Sequence, residues 1–180
     1  SSLGAQSSLR GTAVFSPASG ESVTEAFEFT ALAVPLSGVP LAEAEDFAEQ
    51  SGGEVVVRDD KAGVSGKAFS HWGTKGHRLA WQINVPETGR YHLVIRYSSP
   101  NAAERTLWVD GKALTGAEVV RFPPTGGYGS SADEWSNLAV RLPDGQLAAW
   151  DLAAGPRTVT MESADGSGLN LDQIALVPVP

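Results

Sequence analysis

Few side chains in this 180-residue sequence are spaced for catalysis. The three histidines, His71, His77 and His92, fall in no His-x-x-x-His or comparable metal-binding spacing. No Gly-x-Ser-x-Gly elbow presents a nucleophilic serine. Glycoside hydrolysis needs two carboxylates facing each other roughly 5–10 Å apart. The densest acidic pairs, Asp59-Asp60 and Asp133-Glu134, are adjacent residues that point apart on an extended chain. The Gly-rich stretch 125–131 lacks the Gly-Lys-Ser/Thr ending of a phosphate loop. With no cysteine, thiolate catalysis, disulfides and Cys-ligated metals drop out together. What remains is a pair of carboxylates, Glu43 and Glu45, spaced to share one strand face, and a set of aromatics in turn-like segments.

Bulk charge narrows the partners. A net charge of −8 and a pI near 4.8 oppose nucleic-acid binding, which needs a basic stripe that releases counterions. No apolar run approaches the roughly 20 residues a membrane helix requires, so no membrane partner is expected. The sequence opens on Ser1-Ser2 without a charged-then-apolar leader, which reads as a secreted or extracellular chain whose signal peptide is absent.

The elements that must carry these residues are short strands. With 20 Gly and 11 Pro between short apolar runs, turns are frequent and long helices are not expected; the only helical hint, a weak one, covers 41–50. Leu79, Trp81, Ile83 and Val85 alternate with polar neighbours, then Pro86-Glu87-Thr88-Gly89 turns the chain into a second alternating run, Tyr91, Leu93, Ile95 and Tyr97. Asp110-Gly111 and Asp144-Gly145 are hairpin signals. From Ala42 onward some eight to ten strands are expected, in a sandwich or barrel. Residues 1–41, Ser/Ala/Gly-rich with one alternating run at 22–33, read as an N-terminal extension or linker that adds at most a strand; 42–180 reads as the domain.

Several segments, in order, resemble carbohydrate-binding modules of the family 6 and family 35 type. Ala42-Glu43-Ala44-Glu45-Asp46-Phe47 is similar to the family's Ala-Glu-rich first strand, and the run from Gly76 through Trp81 to Val85-Pro86 to its Gly-x-x-x-x-(aromatic)-x-(apolar)-x-Val-Pro strand. Gly89-Arg90-Tyr91 through Arg96-Tyr97, Val109-Asp110-Gly111 and Ala154-Gly155-Pro156-Arg157-Thr158 resemble later family segments, with Arg157 where His is usual. Leu169-Asn170-Leu171-Asp172-Gln173-Ile174 is similar to the closing strand. The resemblance implies an all-β, jelly-roll β-sandwich of two antiparallel sheets.

It further implies a structural calcium ion held by Glu43, Glu45 and Asp172, with backbone carbonyls from 60–67 completing the shell. A glycan site is implied in the loops at one end of the sandwich. Sugar rings present apolar C–H faces rimmed by hydroxyls, so such a site needs an aromatic platform with amide or carboxylate partners. Trp72, Tyr128 and Trp135 are the platform candidates, with His71 beside Trp72 and Asn170 as the amide partner. Trp108 alternates against Leu107 and Val109, which turns it onto a sheet face shared with Arg96 and His92. The resemblance offers a second sugar site there, and cover by the N-terminal extension is the equal alternative. Trp81 and Trp150 are assigned to the core.

The function these expectations describe is non-catalytic binding of polysaccharide or oligosaccharide chains, targeting a catalytic domain of the same secreted parent chain. The alternative is a structural or protein-interaction sandwich without a sugar site. Arg58, Lys61, Lys67, Lys75 and Arg78 cluster beside the proposed loop, which leaves uronic acids and neutral chains both open.

Overall fold

A computed structural model of the chain describes residues 38–179 in full and, ahead of them, the backbone of 7–15 and 23–31. Two compact units divide it, Ser1–Gly38 and Val39–Pro180. In the first, β1 (Ser7–Phe15) pairs antiparallel with β2 (Val23–Ala31). The alternating run at 22–33 lies largely in β2, and its side chains fall outside the described residues. The extension thus holds two strands where one was expected.

The second unit is the expected antiparallel β-sandwich. Its strands are β3 (Leu41–Glu43), β4 (Glu49–Ser51), β5 (Val56–Arg58), β6 (Ala68–Ser70), β7 (Arg78–Val85), β8 (Gly89–Ser98), β9 (Ala103–Val109), β10 (Val119–Phe122), β11 (Ser136–Ala139), β12 (Trp150–Leu152), β13 (Gly155–Ser163) and β14 (Asn170–Pro178). One sheet runs β10-β9-β13-β7-β4; the other runs β11-β8-β14-β6-β5, with β12 on β8 and β3 on β14. The helical hint at 41–50 resolves into β3, a single 3-10 turn at Ala44–Asp46, and β4.

The period-two pattern puts one face of each long strand inside. Leu79, Trp81, Ile83 and Val85 of β7 meet Leu93, Ile95 and Tyr97 of β8, all essentially without exposure. Both Asp-Gly pairs turn the chain as expected. Asp110 and Gly111 each take positive φ, 49° and 72°, between the bridged Val109 and Lys112, a geometry Asp and Gly tolerate best. At Asp144-Gly145 the chain closes through Leu142 N–H donating to the Gln146 carbonyl at 2.8 Å.

At the end of the sandwich where β6, β7 and the 3-10 turn meet, the core is aromatic. Phe69 lies 5.7 Å from Trp72 and 6.3 Å from Trp81, and Phe47 packs on it edge-on. Trp81 Nε1 donates to the Ala44 carbonyl at 3.0 Å, so its one polar atom is satisfied inside. Trp81 and Trp150 are both buried, as assigned.

Candidate functional site

A cleft of about 520 Å³ opens at this same end, between the 70–74 segment, the 168–170 segment, Tyr128 and the Arg58–Lys61 turn. Tyr128 is the exposed aromatic of the group, at 41%. Its ring is carried by a loop with glycine on both sides. A Cβ on Gly129, where φ is +74°, would collide with the buried Trp135 indole, and one on Gly127 would push aside the Glu134 carboxylate. Opposite, Gly168 leaves room for the Tyr128 hydroxyl, which would stand 2.7 Å from a Cβ placed there.

The loop is pinned from two sides at one atom. The Tyr128 carbonyl accepts a hydrogen bond from Asn170 Nδ2 and another from Lys61 Nζ, both at 2.7 Å. Asn170 is buried but its side chain reaches the cleft wall, which ties the first residue of β14 to the platform loop. Arg58 forms a two-pronged pair with Asp60, so its charge is already matched. His71 lines the opposite wall in the left-handed region, φ 68°, with Ser70 Oγ 2.9 Å from its Nδ1. A non-glycine held there is a strained residue at a concave site.

Two of the three platform candidates are corrected. Trp72 has no exposed surface: its indole lies against Phe69, and Nε1 donates 2.9 Å to the His77 carbonyl. Its neighbours His71, Gly73 and Thr74 reach the cleft while Trp72 points the other way, into the core. Trp135 is also buried, at 7% exposure, and backs the Tyr128 loop beneath Gly129. Neither indole offers a face to a ligand.

The proposed second site is corrected as well, because its members lie on different sheets. Trp108 projects from β9 on the outer face of the five-stranded sheet, with the Arg78 guanidinium 5.2 Å over its ring. Arg96 and His92 project from β8 on the outer face of the other sheet. Alternation had placed each residue outward correctly, but it cannot say which sheet a strand joins. Arg96 instead donates to Asp172 Oδ2 at 2.7 Å and to the Gly63 carbonyl at 2.9 Å, and His92 Nδ1 lies 2.8 Å from the Ala148 carbonyl.

The three acidic candidates gather around one turn, by a route the strand argument did not contain. β3 ends at Glu43, and Glu45 sits in the 3-10 turn, so the two do not share a strand face. β3 pairs with β14, and the register of β14 slips between Leu171 and Gln173, leaving Asp172 in a bulge that re-aims its side chain. Ser65 bridges two of them: its hydroxyl donates to Glu43 Oε1 and its N–H to Asp172 Oδ1, each at 3.1 Å. The Lys67 N–H donates to Glu45 Oε1 at 2.9 Å. Burial, against the hydrogen bonds of Ser65 and Arg96 and with the help of Glu43, pushes the Asp172 carboxyl up to about 6. Glu43 Oε2 and Glu45 Oε2 are buried without a donor among the described residues. The set is all hard oxygen and short of positive charge, which suits a calcium ion in kind. Among the described residues no three Asp, Glu, His or Cys side chains stand in a shared ligating arrangement, so an ion would have to draw these carboxylates inward.

The cleft also includes residues that sequence reasoning did not assign to a site. Thr74, Gly168 and Leu169 line it, and Arg105 lies buried behind it. The signal for Arg105 was present: it is in phase with Leu107 and Val109, which makes it an arginine at a core position. Of the basic cluster at 58–78, Arg58 and Lys61 line the cleft, whereas Arg78 belongs to the other sheet.

Comparison with known proteins bears on this architecture. The family model described as carbohydrate binding module (family 35) matches residues 42–122. The isomaltosyltransferase of Sporosarcina globispora is 30% identical over 154 residues, 82% of this chain and 12% of that enzyme. Across the curated relatives it matches, the chain spans only 11 to 12% of their length. Among solved structures, a family 35 carbohydrate binding module from Clostridium thermocellum aligns over 77% of this chain and 97% of its own, with a TM-score of 0.60 at 18% identity. A carbohydrate binding module of Cellvibrio mixtus lichenase 5A, in complex with cellotriose, aligns over 79% and 98% with a TM-score of 0.54 at 23% identity. At these identities the structural likeness speaks for the fold.

Proposed function

We propose that this sandwich is a carbohydrate-binding module of the family 6 and family 35 type, that it binds a glycan chain in the end-loop cleft and that it performs no catalysis. The family 35 match over residues 42–122 and the shared fold support this. The observation that carries this reading is the half-exposed Tyr128 ring over a concave wall, on a loop whose Tyr128 carbonyl is pinned by Asn170 and Lys61. An aromatic face with amide, hydroxyl and ammonium groups nearby is what a pyranose ring and its hydroxyl rim require. Arg58 is matched by Asp60, whereas the Lys61 ammonium is held at a carbonyl and keeps its charge and two further N–H donors for the ligand. Neutral and uronic acid chains therefore both enter the test. The isomaltosyltransferase relative makes α-linked glucose oligosaccharides the first ligand to try.

Calcium is part of the same proposal. Glu43, Glu45 and Asp172 would hold the ion, whose charge offsets three carboxylates where the first strand of the sandwich meets the last. The relatives are enzymes in which the matching segment is a small share of the chain. This supports a module that tethers a catalytic domain of one secreted parent chain to its substrate and so raises the local concentration.

Calorimetric titration of isomaltoheptaose, cellohexaose, xylohexaose and glucuronic acid against wild type and Tyr128→Ala, with calcium and with chelator, tests the reading. Binding of one class, weakened about tenfold or more in Tyr128→Ala, is expected for a buried-edge aromatic anchor. If none of the four binds the calcium-loaded protein, the structural or protein-interaction sandwich becomes the better account.

A further inference from the structure

We propose that Arg105 is a positioning residue for the cleft: its one buried guanidinium ties together the two segments, 71–74 and 167–170, that wall the binding site. The inference rests on the cleft being the glycan site. Arg105 Nη2 donates to the Trp72 carbonyl at 2.6 Å and to the Ser167 carbonyl at 2.8 Å, while Nη1 donates to the Glu104 carbonyl at 2.8 Å. Each of the first two acceptors adjoins residues that line the cleft, His71 and Gly73 on one side and Gly168 on the other. The Trp72 ring lies 4.4 Å from the guanidinium carbon, so the same group also fixes the indole beneath the wall. Asp165, 3.6 Å away, accepts the N–H groups of Glu104 and Ser167 and closes the second segment onto β9.

Stability alone does not explain an arginine here. Arg105 occupies an inward register of β9 with Ala103, Leu107 and Val109, where an apolar side chain would bury without desolvation cost. Its cross-strand partner Ser163 keeps a buried hydroxyl, and His77 two buried ring nitrogens, without hydrogen-bond partners among the described residues. The guanidinium itself leaves Nε unpaired among the described residues. Burial lowers the Arg105 pKa to about 10, against the pull of Asp165. The end of the core is thus kept polar at a cost. What the cost secures is one planar group whose Nη2 reaches both loop carbonyls while Nη1 holds the Glu104 carbonyl and the flat face lies on Trp72. Lysine, a point donor on a flexible stem, has no planar face for Trp72 and does not hold three carbonyls in one geometry.

The test is amide hydrogen exchange on Arg105→Lys, with Met161→Ala, a core truncation in β13, as the control. In the wild type the Gly76, His77 and Ser167 amides all donate hydrogen bonds, so these segments have protection to lose. Exchange at 74–77 and 165–168 is expected to quicken about tenfold or more in Arg105→Lys while β8 and β14 stay near wild type; the control quickens the sandwich throughout. A uniform change, or none, overturns the proposal. Should Arg105→Lys fail to fold, Asp165→Asn is read by the same criterion. Affinity for isomaltoheptaose is expected to fall about tenfold alongside. If wild type does not bind that probe, the α-glucan reading fails, while the exchange pattern still decides the role of Arg105.

Discussion

At the residue scale, two aromatics in similar sequence settings do opposite things. Trp72 and Tyr128 both stand beside glycine in loop-like stretches, yet Trp72 is wholly buried and Tyr128 is 41% exposed. The difference lies in partners. The Trp72 N–H has a carbonyl waiting inside, at His77, and two aromatic neighbours to pack on, whereas the backbone of Tyr128 is the bonded part and its ring is left over the cleft. Trp72→Ala is therefore expected to cost about 3–5 kcal/mol of stability, in the range for truncating a buried large aromatic. Urea unfolding checks this. Tyr128→Ala, by contrast, is expected to shift the urea midpoint far less than Trp72→Ala and to act chiefly on affinity, since a half-exposed ring contributes less to folding than a buried one.

At the element scale, glycine-permitted loop contacts and one bulge build the site. Gly168→Ala would place a methyl 2.7 Å from the Tyr128 hydroxyl, the far end of a side chain that can swing away. The expected outcome is a displaced platform and weaker glycan binding, about threefold to tenfold, with little loss of stability, read by calorimetry beside thermal unfolding. Gly129→Ala is expected to be worse for the fold: a side chain there strains a backbone at φ +74° and drives into the buried Trp135 ring, which has no room to yield. The bulge at Asp172 is equally consequential, because it alone turns a residue of β14 toward Ser65 and Arg96.

For the whole molecule, two buried titratable groups bracket its stability in pH. Burial raises Tyr97, whose hydroxyl donates to the Pro123 carbonyl at 2.8 Å, to about 12 from an ordinary 10.0. A raised pKa means stability that is complete below the unfolded value and lost as pH climbs from 10 through about 12. Burial, then the nearby Arg105 charge, lowers His77 below its ordinary 6.5, so its contribution is complete above that value and lost as pH falls beneath it. Asp172, raised to about 6, and Arg105, lowered to about 10, slope the opposite way in the acid and alkaline ranges. Each contribution is therefore read as a difference in unfolding free energy from wild type, His77→Gln below pH 6.5 and Tyr97→Phe above pH 10. Calcium is expected to raise the thermal midpoint in proportion to the logarithm of its concentration, and a chelator to remove that gain, if the carboxylates at Ser65 hold the ion as proposed. The sequence by itself determined the sandwich, both hairpins, the buried faces of β7 and β8, and the end of the molecule where Tyr128 and Asn170 meet. Those follow from local rules, the period of two and turn chemistry, together with motif order. Tertiary structure alone decided that Trp72 and Trp135 turn inward, that Trp108 and Arg96 belong to different sheets, that Asp172 is bulged, and that Arg105 holds two loops together. Each depends on which distant carbonyl, ring or strand lies alongside, and alternation along one strand carries no information about that.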